Sequence, residues 1–132
     1  MATTTPDTSF DLADQISLIS SEVLKFRIKN RPTLSDKDKS DLEDLEVQLD
    51  QSTAQLRAAG IAALSAVTKP AQQDIEAATK EAEALLRRIK RTERAVSIAT
   101  SVLNLALAIS AGQPQGIVSA IKDVKLSNKM VA

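Results

Sequence analysis

A chain of 132 residues and 14.1 kDa can hold one domain with a real core. Its 17 Lys and Arg balance 17 Asp and Glu, so no net field draws it to nucleic acid. The absence of His, Cys, Trp and Tyr excludes imidazole and thiolate chemistry, disulfides and zinc sites built on His or Cys, while Phe10 and Phe26 alone make no stacking platform for single-stranded nucleic acid.

Ala occurs 20 times and Leu 15 times, against three Gly and four Pro. Good helix formers dominate and breakers are few, which predicts an all-α fold. The start, Met-Ala-Thr-Thr-Thr-Pro-Asp-Thr, reads as a flexible tail over 1–8, followed by a single helical domain over 9–130. It has no basic n-region and no apolar h-region of a cleavable secretory signal. A cytoplasmic location is the expectation, and export by a route that needs no cleaved signal is compatible with it.

The first helix is predicted at about 9–31, with Asp11 in its first turn. Leu12, Ile16, Ile19, Val23 and Phe26 recur at steps of four and three and draw one apolar stripe. Pro32 stops it, because the residue before a proline is pushed out of the helical region. The second helix is predicted at about 35–68, capped by Ser35 or by the box Ser40-Asp-Leu-Glu43. Its seam runs Leu42, Leu45, Leu49, Ser52, Leu56, Ala59, Ala63 and Ala66. A turn at Thr68-Lys69-Pro70 follows, with proline tolerated in a first helical turn.

The third helix is predicted as one piece from 71 to 111, about 60 Å long at 1.5 Å per residue. Its seam, Ile75, Ala78, Ala82, Leu85, Ile89, Thr92, Val96, Ala99, Leu103 and Ala106, never slips phase. Gly112-Gln-Pro-Gln-Gly116 ends it, and a fourth helix at about 116–127 turns Ile117, Ile121 and Val124 inward. These lengths predict an antiparallel bundle of four helices built on a long central hairpin with coiled-coil-like seams. One end is a four-helix head; the other, roughly 58–85, is a two-helix stalk. A more compact bundle with one kinked helix competes with it. Charge suits the hairpin: residues 36–50 carry seven acids and residues 87–94 carry five bases, and the antiparallel register lays one stretch beside the other.

Three features stand out as functional candidates. The basic cluster Arg87-Arg88-Ile-Lys90-Arg91-Thr-Glu-Arg94 suits phosphates or acidic headgroups, and equally a solvated face paired with the acidic second helix. Residues 95–121 hold no ionisable side chain, and Ile98, Val102, Leu105 and Ile109 add a second seam to the third helix. A helix apolar nearly all round is central in a bundle or inside a membrane. A 17-residue run diluted by Ser97, Thr100, Ser101, Asn104 and Ser110 is short for a span, which needs ~20 predominantly apolar residues. The third candidate is the Ala-rich hairpin tip, where Ile61, Leu64 and Val67 lie off the seam and offer an apolar patch to a second copy or a protein partner.

Catalysis has no support. There is no nucleophile–base pair, no Glu-x-x-His and no Gly-rich phosphate loop, and neither cofactor nor metal is expected. The first reading is therefore a non-enzymatic helical interaction protein that binds itself or a protein partner through the hairpin tip. The second is a membrane-active protein. In it, a hairpin bearing Val102, Leu105, Ile109, Ile117 and Ile121 enters lipid while Arg88, Arg91, Lys122 and Lys125 meet anionic headgroups.

Overall fold

The computed structural model describes residues 10–59 and 67–131, and among them the fold is all-helical, with no strand. Five α-helices follow in order: α1 (Leu12–Lys29), α2 (Asp36–Ala59), α3 (Lys69–Arg88), α4 (Thr92–Ala111) and α5 (Pro114–Val131), with a single 3-10 turn at Arg31–Thr33. The tail at 1–8 lies outside the described residues.

Local chemistry sets the ends. Asp11, expected inside the first turn, is the cap of α1: its Oδ1 accepts from the Asp14 N–H at 3.2 Å. Ser35 rather than Ser40 caps α2, with Oγ accepting from the Asp38 N–H at 3.1 Å. Thr68 does the same for α3 at 3.2 Å, and Pro70 sits in that helix's first turn, where it has no intrahelical bond to lose. Gly112 closes α4 at φ +71°, a left-handed conformation that glycine adopts without strain. The last helix is longer than its predicted 116–127 at both ends.

The main departure from the predicted architecture is at Ile89–Arg91. The expected 71–111 helix is two helices, and the chain leaves α3 through extended residues, Ile89 at ψ 147° and Arg91 at ψ 122°. Side-chain links give the directions. Gln15 reaches Glu83 and Glu22 reaches Arg87, so α1 and α3 run parallel. Ser20 reaches Asp50 and Arg27 reaches Glu46, so α2 runs against α1. Asn128 donates to the Ala78 carbonyl and Lys125 faces Asp74, so α5 parallels α3; Arg94 at the start of α4 donates to the Met130 carbonyl at the end of α5, so α4 opposes both. The break is a reversal, not a kink.

The helices form a closed ring in the order α2, α1, α3, α5, α4, and α4 also touches α1 and α3 across it. Two expectations fall with this. Among the described residues α2 and α3 do not pack along each other, so they make no central hairpin. Nor do the described residues of the expected stalk stand apart as two helices: Ile75, Ala78 and Ala82 of α3 are buried in the common core. The acidic stretch of α2 does not lie along the basic 87–94 either. Glu43 and Glu46 pair with Arg27 of α1, and Arg87 pairs with Glu22 and Glu83.

Burial explains why the chain reverses. A straight continuation would carry Ile98, Val102, Leu105 and Ile109 beyond the reach of α1 and α2. In the reversed chain all four are buried. Full burial of such a side chain contributes about 1.5–3 kcal/mol. Each backbone hydrogen bond given up at the break costs only about 1 kcal/mol net. Four buried side chains outweigh the few bonds lost. Arg87 and Arg88 in the last turn of α3 and Glu93 in the first turn of α4 suit two helix ends rather than one helix middle.

The reversal makes a sharp prediction at Thr92, the first residue of α4, which follows an extended Arg91. Thr92→Pro should leave stability in urea unfolding within about 1 kcal/mol, since proline suits the first helical position. Inside an unbroken helix the same change would cost about 3 kcal/mol or more.

Candidate functional site

A heptad step along the edge of the α1 stripe places Gln15 and Glu22 against α3, and both are buried although both are polar. The Gln15 amide donates to Glu83 at 2.8 Å. The Arg87 guanidinium donates to Glu22 at 3.0 Å and also to Glu83 one turn before it in α3, while Lys25 stands 3.6 Å from Glu22. One exposed arginine thus neutralises two buried carboxylates from two helices. Its hydrogen bond to Glu22 holds the Arg87 guanidinium above its ordinary, already high value, with the charge of Glu83 adding to the effect and desolvation opposing it. Arg27 is raised in the same direction, first by its hydrogen bond to Glu46. A cation raised in the fold contributes its full stabilisation at every pH below its unfolded-state value, so neither arginine loses its pair by its own titration on the acid side.

Beside this network α1 and α3 leave a groove of about 280 Å³. Phe26, Leu86 and Ile89 form its floor, and Lys25 and Lys29 stand with Arg87 at its rim. Its buried carboxylate is already engaged, and among the described residues no hydroxyl or thiol lines it. Among the described residues no group of three or more acidic side chains could hold a metal ion.

The predicted site residues are scattered. Ile61 and Leu64 lie outside the described residues, and Val67, at the start of the α3 segment, is buried against the core rather than offered to a partner. Val102, Leu105 and Ile109 of α4 and Ile117 and Ile121 of α5 are all buried. The four headgroup candidates do not share a level. Arg88 and Arg91 stand exposed at the α3–α4 reversal, Arg91 with Glu93 at 3.6 Å. Lys122 and Lys125 stand midway along α5, Lys125 with Asp74 at 3.4 Å.

Sequence reasoning missed the outer faces. Leu18, Leu24, Ile28, Val47, Leu107, Val118, Leu126 and Met130 are large, apolar and exposed. The available signal was a second apolar periodicity off the seam: 118, 126 and 130 lie on one row of i+4 steps. No family model, no curated protein and no solved structure matches this chain.

The carboxylate network predicts a specific hierarchy of melting temperatures. Arg87→Met strands Glu22 and Glu83 side by side and should lower Tm by several degrees. Adding Glu22→Met should recover part of the loss, because it removes a buried charge left with only the exposed Lys25 beside it. Additive losses in the double variant would contradict the shared-arginine arrangement.

Proposed function

We propose that this is a non-enzymatic helical interaction protein, working by helix packing against a copy of itself or a protein partner. The observation that carries it is apolar surface beyond what the core uses. All five helices bury an inward seam, yet α1, α2 and α5 still expose large aliphatic side chains: Leu24 and Ile28, Val47, and Leu126 with Met130. Isolated exposed apolar residues are ordinary; groups of them on perimeter helices fit a contact surface. The expected surface at the hairpin tip gives way in this reading to the outer helix faces, since Val67 is turned inward.

The second reading is the membrane one, and it has one observation in its favour. α4 is long and apolar enough to cross a bilayer, with a mean hydropathy of 1.5. Half of that stretch is buried by the other helices, as the core helix of a folded bundle would be.

Flotation with anionic liposomes at moderate salt, at neutral and at acidic pH, separates the readings. The interaction reading predicts that the protein stays with the aqueous fraction in both; flotation would overturn it. The Leu105→Lys variant sharpens the test. With Leu105 in the core, the change buries an unpaired charge and should cost more than about 3 kcal/mol in urea unfolding. A folded variant of unchanged stability that has lost liposome binding would favour insertion instead.

A further inference from the structure

α5 is apolar on two sides. Inward it buries Ile117, Ile121 and Val124. Outward, steps of four place Val118, Lys122, Leu126 and Met130 on one row, and Lys129 lies along its flank. Leu126 is 58% and Met130 61% exposed. Among the described residues Lys122 and Lys129 make no ion pair. The outward face is a ridge of apolar side chains with lysines at i−4 and i+3 from Leu126 and the exposed Asp123 at i−3, two cations against one acid.

A complementary face exists on the same chain. Arg27 pairs with Glu43 and Glu46, Ser20 donates to Asp50, and Arg57 pairs with Asp14. These links set the register of the antiparallel α1–α2 pair, and in it Leu24 stands level with Val47, with Ile28 one turn further along α1. All three are exposed, Val47 at 55%. Val47 has Glu43 at i−4, Asp44 at i−3 and Asp50 at i+3, all exposed. Val47 is thus flanked by three acids, whereas two of the three charged residues at these spacings from Leu126 are lysines, so the two faces are opposite in net charge.

The ring order sets these faces apart. α5 rests on α3 and α4 and does not pack along α1 or α2, so the α5 ridge stands across the bundle from the furrow between α1 and α2. We propose that a second copy of this chain docks head to tail, the α5 ridge of one copy lying in the acidic α1–α2 furrow of the next. Leu126 and Met130 pack on Leu24, Ile28 and Val47, and Lys122 and Lys129 face Glu43, Asp44 and Asp50. Because two different faces meet, each added copy leaves one ridge and one furrow free. The contact therefore propagates into an open chain or closes as a ring, rather than stopping at a two-fold dimer. The inference rests on the interaction reading above and names its partner. A second copy is favoured over an anionic membrane because the matching acids are on the chain itself.

Sedimentation velocity of the full chain over a wide concentration range is the test. Wild type should rise above the 14.1 kDa monomer with concentration and fall back as salt screens the charge pairs. Leu126→Gln with Met130→Gln removes the ridge, and Val47→Lys spoils the furrow. All three side chains are exposed, so circular dichroism should show folded protein in both variants. Each alone should sediment as a monomer. Mixed in equal amounts they should form a two-chain species and stop there, since the mixture holds one intact ridge and one intact furrow per pair. A wild type that stays monomeric overturns the second copy as partner, and the interaction reading is then judged by flotation alone. Association that survives both variants, or a mixture that stays monomeric, overturns this choice of faces and leaves the broader reading standing. Flotation lost in the ridge variant would make α5 a membrane contact and overturn both.

Discussion

A helix that carries no charge beyond its first turn has to be covered on most of its sides. From 95 to 121 the chain has no ionisable residue, and α4 presents two adjacent seams, Ala99-Leu103-Ala106 and Ile98-Val102-Leu105-Ile109. A single neighbour can cover one seam. Covering both takes several helices, and α4 touches all four of the others. The reversal at Ile89–Arg91 follows from this, because only a chain that turns back delivers α4 to the interior. The up-and-down order of the five helices follows in turn, with α5 brought back along α4 by the Gly112 turn.

Polar chemistry then fixes which helix lies beside which. Apolar seams alone tolerate many neighbours, but Gln15, Glu22 and Glu83 are buried and must meet partners. The one arrangement that joins them through Arg87 sets α1 parallel to α3. Asn128 plays the same part between α3 and α5, donating to the Ala78 carbonyl at 3.1 Å and to Glu81 at 3.0 Å. Arg27, held between Glu43 and Glu46, ties α1 to α2. These links contribute less than the aliphatic core, and they select one packing from those the core would accept.

Much of this was legible in the residues. The stripe Leu12, Ile16, Ile19, Val23, Phe26 and the α2 run Leu42, Leu45, Leu49, Ser52, Leu56 are buried throughout, as their spacing implied. The second seam of α4 is buried as well, the outcome expected of a helix central in a bundle. The reversal was hidden because the seam keeps its phase across Ile89 and Thr92 and no glycine or proline marks the break. The cost of breaking a helix there is local, and the gain is tertiary, so periodicity cannot register it. The pairing of acidic and basic stretches misled for the same reason: once the chain turns back, Arg87 finds nearer carboxylates on α1 and on its own helix. The outer faces of α1, α2 and α5 were passed over because an apolar residue off the seam looks like scatter until the ring order shows which of them share a surface.

The reversal is the step from which the ring, the buried α4 and the opposed ridge and furrow all follow. The chain has no cysteine, so two introduced cysteines give clean spin-label sites. Gln73 on α3 and Ser110 on α4 are both exposed. An electron–electron distance measurement on the Gln73→Cys/Ser110→Cys protein tests the reversal directly. Helices that turn back within one bundle, with neighbouring axes about 8–10 Å apart, place these labels within roughly 30 Å of each other. One uninterrupted helix would hold them about 55 Å apart at 1.5 Å per residue, and that distance would contradict the fold described above.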